Sequence, residues 1–390
     1  MTPQSLREWW TSRGLSGGGF RADQVLDWVY AKGVADPAQM SNLSKRDREV
    51  LAAEMTFLSA DVVRHQLATD GTQKLLLEWR DPGAPPATGL GLPILSGGAA
   101  GDPSRQTECV MIPSEERRTV CVSSQVGCPV GCRFCASGMG GLDGSLSAGR
   151  IVEQVWRMAR LEGVGRVSNV VFMGMGEPLA NFAAVMHAVR TLAAPWGMGI
   201  SARKITISTV GLPQAIERLA NEMDLPVTLA LSLHAPNDEV RRRLIPWAEF
   251  TTVDELLGAC AAWFKKTGRE ITLEYTLLRG VNDRPEQARE LVDVVRRMHE
   301  EAGGRANVNL IRYNEVEGVP FERPRSEDVA KFQEILRAGG VNAHIRASRG
   351  RDIAAACGQL RHETSAGRNG DGTGPNDGRA SLRRAEGAGR

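Results

Sequence analysis

From Arg118 to Arg346 the chain alternates short apolar runs with longer amphipathic stretches. Strands are expected at Thr119–Val126, Asn169–Met173, Lys204–Thr209, Val227–Leu233, Glu270–Leu278 and Asn307–Tyr313, with a last strand at Asn342–Arg346. Between them, apolar positions recur at helical spacing over Ala148–Glu162, Ala183–Ala193, Pro213–Ala220, Val253–Lys266, Pro285–Glu301 and Ser326–Ala338. Repeated strand–helix units imply a parallel sheet with helical crossovers. The fold class is therefore α/β, and an open, partial (β/α)6 TIM-type barrel fits, with chemistry on the loops after the strands. A doubly wound sheet is the alternative.

The first 60 residues carry a different pattern. Phe20–Tyr30 places Val25, Trp28 and Val29 on one helical side, and Ser44–Glu54 reads as a helix with Ser44 as its N-cap. Val62–Trp79 then alternates around Asp70-Gly71, a hairpin signal. Asp81–Ser104 is rich in Gly, Pro and Ala and reads as a surface insertion. The expected organisation is a helical module at 1–60, a hairpin, insertion and linker at 61–117, a barrel at 118–362 and a disordered tail at 363–390. The tail is Gly-, Arg- and Asn-rich with almost no large apolar side chain.

Composition adds limits. The apolar fraction of 42% and charged fraction of 24% are those of a soluble globular protein. No apolar run is long enough to span a bilayer, and Met1–Arg21 lacks the apolar core of a signal peptide. Clustered cysteines without a secretion signal point to a reducing cytoplasm. A net charge of +2 does not by itself argue for nucleic acid, although Arg241-Arg242-Arg243 could touch phosphates.

The chemistry concentrates in Cys121-Val-Ser-Ser-Gln-Val-Gly-Cys128-Pro-Val-Gly-Cys132-Arg-Phe-Cys135. Cys128, Cys132 and Cys135 follow C-x3-C-x2-C. Tetrahedral structural zinc needs four Cys or His ligands, and no fourth lies nearby. A [4Fe-4S] cube held by three thiolates leaves one iron open to an outside ligand. This arrangement resembles the radical S-adenosylmethionine (SAM) superfamily, in which the amino and carboxylate groups of SAM take the open iron.

Other candidates sit where a barrel places its chemistry. Gly174-Met-Gly-Glu-Pro178 follows the second strand; glycines let the backbone approach a ligand, and Glu177 can accept from an ammonium. A plain strand-to-helix turn would look the same, but after a second strand the motif resembles the superfamily's "GEP" element for SAM's amino group. Ser208, Ser232-Leu233-His234 and Asn314 end the third, fourth and sixth strands. Free cysteine is most often a small buried hydrophobe, and Cys109 and Cys260 are read so.

Over about Phe20 to Leu360 the chain resembles the RlmN/Cfr family of radical SAM RNA adenine methyltransferases. The resemblance rests on CVSSQVGC, NVVFMGMGEPLAN, LALSLHAPND, VNLIRYN and RGRDIAAACGQL, in family order. It implies that Cys128, Cys132 and Cys135 ligate the cluster, and that Gly176, Glu177, Ser208, Ser232, Leu233, His234 and Asn314 contact SAM. It further implies that Cys357 takes a methyl from one SAM, that a second SAM yields a 5′-deoxyadenosyl radical which removes a hydrogen from that methyl, and that the methylene radical adds to adenine. Cys121 would resolve the adduct through a transient disulfide with Cys357, and Glu108 stands where the family has its proposed proton acceptor.

The implied substrate is an adenosine of 23S ribosomal RNA, methylated at C2, together with the adenosine beside a tRNA anticodon. An electron donor such as flavodoxin and a monomeric state go with it, and the helical module and hairpin look like the family's accessory RNA-binding part. Ala136-Ser137-Gly138 is closer to the Cfr branch, and Arg312-Tyr313 replaces a Pro-Trp pair common in RlmN. These departures leave C8 as the alternative target carbon.

Overall fold

The computed structural model of the protein describes residues 2–15, 17–80 and 105–360. The insertion and tail read from the sequence lie outside them. Three helices open the chain: α1 (Pro3–Ser12), α2 (Gly18–Leu26) and α3 (Lys45–Glu54). A single π-turn at Asp27–Ala31 extends α2, and the Ser44 side chain caps α3 by accepting from Asp47 N–H. Leu6, Trp10, Val25, Leu26, Met40, Leu43 and Leu51 bury one another in a separate small core, with Trp28 and Val29 packed against it.

The remaining elements run β1 (Ala60–Leu67), β2 (Gln73–Trp79), β3 (Gln106–Pro113), β4 (Arg118–Cys121), β5 (Gln125–Gly127), β6 (Leu142–Ser145), α4 (Ala148–Met158), β7 (Asn169–Phe172), α5 (Phe182–Ala193), β8 (Ile205–Thr209), α6 (Pro213–Glu222), β9 (Thr228–Ser232), α7 (Asp238–Leu244), α8 (Val253–Thr267), β10 (Ile271–Leu277), α9 (Pro285–Ala302), β11 (Ala306–Arg312), α10 (Ser326–Ala338) and β12 (Ala343–Arg346). Ten strands form one sheet in the order β1-β2-β3-β4-β7-β8-β9-β10-β11-β12. From β4 to β12 every pairing is parallel. Each parallel strand lies beside its predecessor, so the order never reverses as a doubly wound sheet requires. The described strands do not close into a ring, which makes the arc a partial barrel.

One strand expectation needs correction. The strand read at Thr119–Val126 is two, β4 and β5, because Ser123 leaves the ladder and bonds elsewhere. β5 pairs instead with β6 in a two-stranded ribbon. The expected hairpin is present as β1 and β2, with Ala60 opposite Trp79. β2 pairs antiparallel with β3, and β3 with β4, so the hairpin continues the barrel's own sheet.

Strand periodicity sorts the arc's two faces. On β10, Ile271, Leu273, Tyr275 and Leu277 are fully buried against the helical layer. Glu274 and Thr276, between them, line the inner cleft. Leu229, Leu231, Val308 and Leu310 repeat the outward pattern on β9 and β11. Helix ends are closed locally: Thr252 and Glu255 form a capping box on α8, which stops at Gly268 with φ +65°.

Candidate functional site

The cysteine loop hangs between β5 and β6, and the ribbon fixes its two ends. Cys128 N–H donates to Gly141 C=O at 2.7 Å. Arg133 N–H donates to Leu244 C=O at 2.9 Å, joining the loop's middle to the end of α7. Phe134 meets the His234 ring edge-on at a centroid distance of 5.0 Å. Cys128, Cys132 and Cys135 line one cleft together with Gly176, Glu177, Ser208, Ser232, His234, Glu274, Arg346 and Cys357.

Burial pushes the Cys128 thiol up to about 12, and burial with the neighbouring sulfurs also raises Cys132 and Cys135. Three half-buried thiols that resist ionisation on their own suit a centre that supplies the compensating positive charge. No three His, Cys, Asp or Glu side chains among the described residues are gathered tightly enough to chelate one ion. A cube of four irons spreads its cysteine ligands wider than a single ion does. The donor set, three sulfurs and no fourth protein ligand, fits such a cluster.

The loop after β7 is shaped by its glycines. Gly176 has φ +102°, and a Cβ there would come within 2.6 Å of Gln125 Cβ. A Cβ on Gly174 would meet Val122 C=O at 2.7 Å. The polar string before the cysteines explains this closeness. Ser123 Oγ donates to Glu108 C=O at 2.6 Å and accepts from Met175 N–H at 2.9 Å. Gln125 Oε1 accepts from Glu177 N–H at 2.8 Å. Glu177 accepts from Leu179 N–H at 3.0 Å and from Val210 N–H at 2.8 Å, so its carboxylate ties the loop after β7 to the one after β8. Burial raises its pKa, against those two hydrogen bonds and one from Thr209.

His234, at φ +57°, accepts from Thr276 N–H through Nδ1 at 3.0 Å, which leaves Nε2–H as the donor. Burial, then the charge of Arg241, lowers its pKa to about 3. Ser208 and Ser232 hydroxyls stand 3.3 Å apart. Ser232, Glu274 and Asn309 are register partners across β9, β10 and β11, and Asn309 donates to Glu274 Oε1 at 3.1 Å. This polar row runs along the inner face.

A second cavity adjoins the cleft. Cys121, Cys135, Asn314, Arg346 and Cys357 share its wall. Ala136 N–H donates to Gly358 C=O at 2.8 Å and Ser137 Oγ to Leu360 C=O at 2.7 Å, fastening the cysteine loop to the segment that carries Cys357. Asn314 donates to Cys357 C=O at 3.4 Å. Arg346 lies against Cys357; the Cys357 charge first, then Glu274 and Cys121, raise the guanidinium's pKa against its burial.

Of the residues singled out in the sequence, two are not on these walls. Leu233 is fully buried in the main core, and only its backbone touches the site's neighbours, accepting from Arg241 Nε at 3.3 Å. Glu108 sits one layer back, its carboxylate 2.8 Å from Lys74 Nζ. Cys109 and Cys260 are fully buried among apolar side chains. Sequence reasoning missed Lys74, Glu274 and Arg346. Each is a charged residue inside an apolar strand, which was the available signal.

Comparison with known proteins is consistent with this geometry. A family model described as the radical SAM superfamily matches residues 122–294, and one described as the ribosomal RNA large subunit methyltransferase N-terminal domain matches residues 1–57. A Salinibacter ruber protein named "Probable dual-specificity RNA methyltransferase RlmN" is 44% identical over 355 residues, 88% of either chain. One of the same name from Gloeobacter violaceus is 43% identical, covering 93% of this chain and 94% of its own. The crystal structure of a radical SAM methyltransferase from Sphaerobacter thermophilus superposes with a TM-score of 0.83 at 40% identity, over 93% of this chain and 98% of that one. With relatives this similar along nearly its whole length, the chain belongs to the RlmN family of radical SAM RNA methyltransferases.

Proposed function

We propose that the protein methylates C2 of an adenosine in 23S ribosomal RNA, and of the adenosine beside the anticodon in tRNA, through an S-methylcysteine on Cys357. The observation that carries this reading is one cavity wall on which Cys357, distant in sequence, meets Cys121 and Cys135. C2 of adenine is a poor nucleophile, so direct displacement of the SAM methyl onto it fails and a carbon radical is needed. A [4Fe-4S] cluster on Cys128, Cys132 and Cys135, when bound, supplies the electron that cleaves SAM to a 5′-deoxyadenosyl radical.

The chain's own residues do the rest. Cys357, beside the Arg346 guanidinium, attacks the methyl of SAM as a thiolate and becomes a thioether, while S-adenosylhomocysteine leaves with the electrons of the broken S–CH3 bond. It then presents that methyl for hydrogen loss and for addition to the adenine carbon. After the adduct radical has given up one electron and its ring proton, Cys121 as a thiolate attacks the Cys357 sulfur. The S–CH2 bond breaks, and its electron pair stays on the new carbon, which takes up a proton to become the methyl group. The Cys121–Cys357 disulfide is reduced by an external dithiol before the next turnover. Glu108, paired with Lys74 behind the cavity wall, is the final acceptor of the proton the ring carbon gives up, which reaches it by relay and not by direct contact. Glu177, Ser208, Ser232, His234 and Asn314 hold SAM, and His234, kept neutral, offers an Nε2–H donor.

The helices of 1–60 serve as the RNA-binding module, the barrel of 118–362 as the catalytic unit, and a flavodoxin-type protein as the electron donor. The protein works as a cytoplasmic monomer; no helix among the described residues is long and apolar enough to cross a membrane. The test is nucleoside mass spectrometry of ribosomal RNA and tRNA treated with anaerobically reconstituted enzyme, SAM and a reductant. 2-Methyladenosine is the expected product. 8-Methyladenosine would overturn the C2 assignment and direct attention to Ala136–Gly138.

A further inference from the structure

The hairpin turn reaches across the sheet's edge to the segment that carries Cys357. Asp70, in the turn, accepts from Gly350 N–H through Oδ2 at 3.0 Å, and Arg349 Nη1 lies 4.0 Å from the same oxygen. In return Thr69 N–H donates to Asp352 Oδ2 at 2.9 Å. Lys74, on β2, donates from Nζ to Ala354 C=O at 3.1 Å while its ammonium contacts Glu108 at 2.8 Å. Both partners of that ion pair are buried, with side chains 6% and 10% exposed.

The segment itself is unusual backbone. Gly350 has φ +64°, and a Cβ there would come within 2.8 Å of Thr72 Cγ2. Ala354 adopts φ +50°, a left-handed conformation that a residue with a Cβ holds only when its surroundings impose it. Burial pushes the Asp70 carboxyl up, but hydrogen bonds from Thr72 and Gly350 and the charge of Arg349 outweigh it, so it stays ionised at neutral pH.

We infer that the β1–β2 hairpin is a clamp on the Cys357 segment, in which Asp70 and Lys74 are positioning residues that hold Cys357 and Glu108 in one fixed geometry. The inference rests on the proposed roles of Cys357 and Glu108. It gives the hairpin a task in the reaction centre, where the family resemblance had implied an RNA contact. Thr69 and Asp70 fix the segment's entry and Lys74 its left-handed residue. Asn314 and the cysteine loop hold the other end, so Cys357 is fastened from three sides.

Amide hydrogen exchange on the full-length protein without added SAM or RNA tests this directly. Asp70→Ala should raise exchange across residues 349–357 at least about tenfold while α8 stays unchanged. Lys74→Met should do the same, and Lys74→Arg, which keeps the cation, should restore protection to within about twofold. Should Lys74→Met not fold because Glu108 is left buried and unpaired, Lys74→Met/Glu108→Gln removes both charges and reads the lost Ala354 bond alone.

In reconstituted enzyme, the rate of Cys357 S-methylation, followed by peptide mass spectrometry, should fall in Asp70→Ala with RNA affinity unchanged. Wild-type exchange at 349–357 in Asp70→Ala overturns the clamp. So does weakened RNA binding with unaltered exchange, which would make the hairpin an RNA contact. A Cys357→Ala protein that still methylates RNA sinks the assignment of Cys357 instead and leaves the exchange result standing, so the two failures are separate.

Discussion

The N-terminal helices and the mouth of the barrel place their ion pairs differently. In the helices, ion pairs lie in solvent: Arg7 and Asp23 meet at 2.8 Å with about half of each side chain exposed. At the barrel mouth, Glu177, Glu274, His234 and Arg241 are each less than one-tenth exposed. Exposed pairs contribute little, whereas buried charge costs desolvation that imperfect partners do not fully repay. Glu274 shows the shortfall: Arg346 is 3.8 Å from Oε2, and that oxygen has no hydrogen-bond partner. A sheet that needed only stability would put an apolar residue there. The difference lies in where the ion pairs sit and not in a monopoly on buried charge: Glu274 and Arg241 each keep an unpartnered buried atom at the barrel mouth, and Asp47 and Arg48 do the same on α3.

Breaking the reacting end should have the largest effects. Cys357→Ala is expected to lose all RNA methylation while keeping iron and SAM binding, measured by product mass spectrometry, metal content and equilibrium dialysis. Cys128→Ala should lose iron and its brown absorbance along with activity; a coloured, active variant would contradict the ligand set. Arg346→Met leaves Glu274 buried without its cation and should destabilise the fold by on the order of 3 kcal/mol in urea unfolding. Arg346→Lys should recover part of that stability.

His234 sharpens the comparison through pH. Its folded pKa of about 3 lies below the ordinary 6.5, so the unfolded chain binds the extra proton. Its contribution is therefore complete above pH 6.5 and is lost as pH falls towards 3, by at most about 1.4 kcal/mol per pH unit. Unfolding of wild type and His234→Asn at pH 7.5 and 5 should show a steeper loss in the wild type. The smallest effect belongs to the helices: Arg7→Ala should change stability by about 0.5 kcal/mol or less. A larger change would mean that surface pairs there matter more than their exposure implies.

How much was legible follows from the range of each signal. The parallel strands and their helices were readable because period 2 and period 3.6 are local and repeat. Ser44 as a helix cap was equally local. The split of Thr119–Val126 was not, since it depends on Ser123 and Gln125 bonding to residues about fifty positions away. β3 was overlooked as a strand although β4 follows it across a tight turn; its other partner, β2, lies on the far side of a long insertion. Lys74, Glu274 and Arg346 stood in the sequence as lone charges in apolar strands, without anything to say what they face.

By itself the sequence determined the α/β class, the three-thiol loop and the family, because spacing and rare strings survive without coordinates. Tertiary structure alone decided that the hairpin belongs to the barrel's sheet, that Glu108 pairs with Lys74 one layer behind the cavity, and that Cys121 and Cys357 share a wall. Those facts depend on which strand edges meet. Strand pairing is set by the sum of many weak packing and hydrogen-bond terms over the whole sheet, and no single segment encodes its partner.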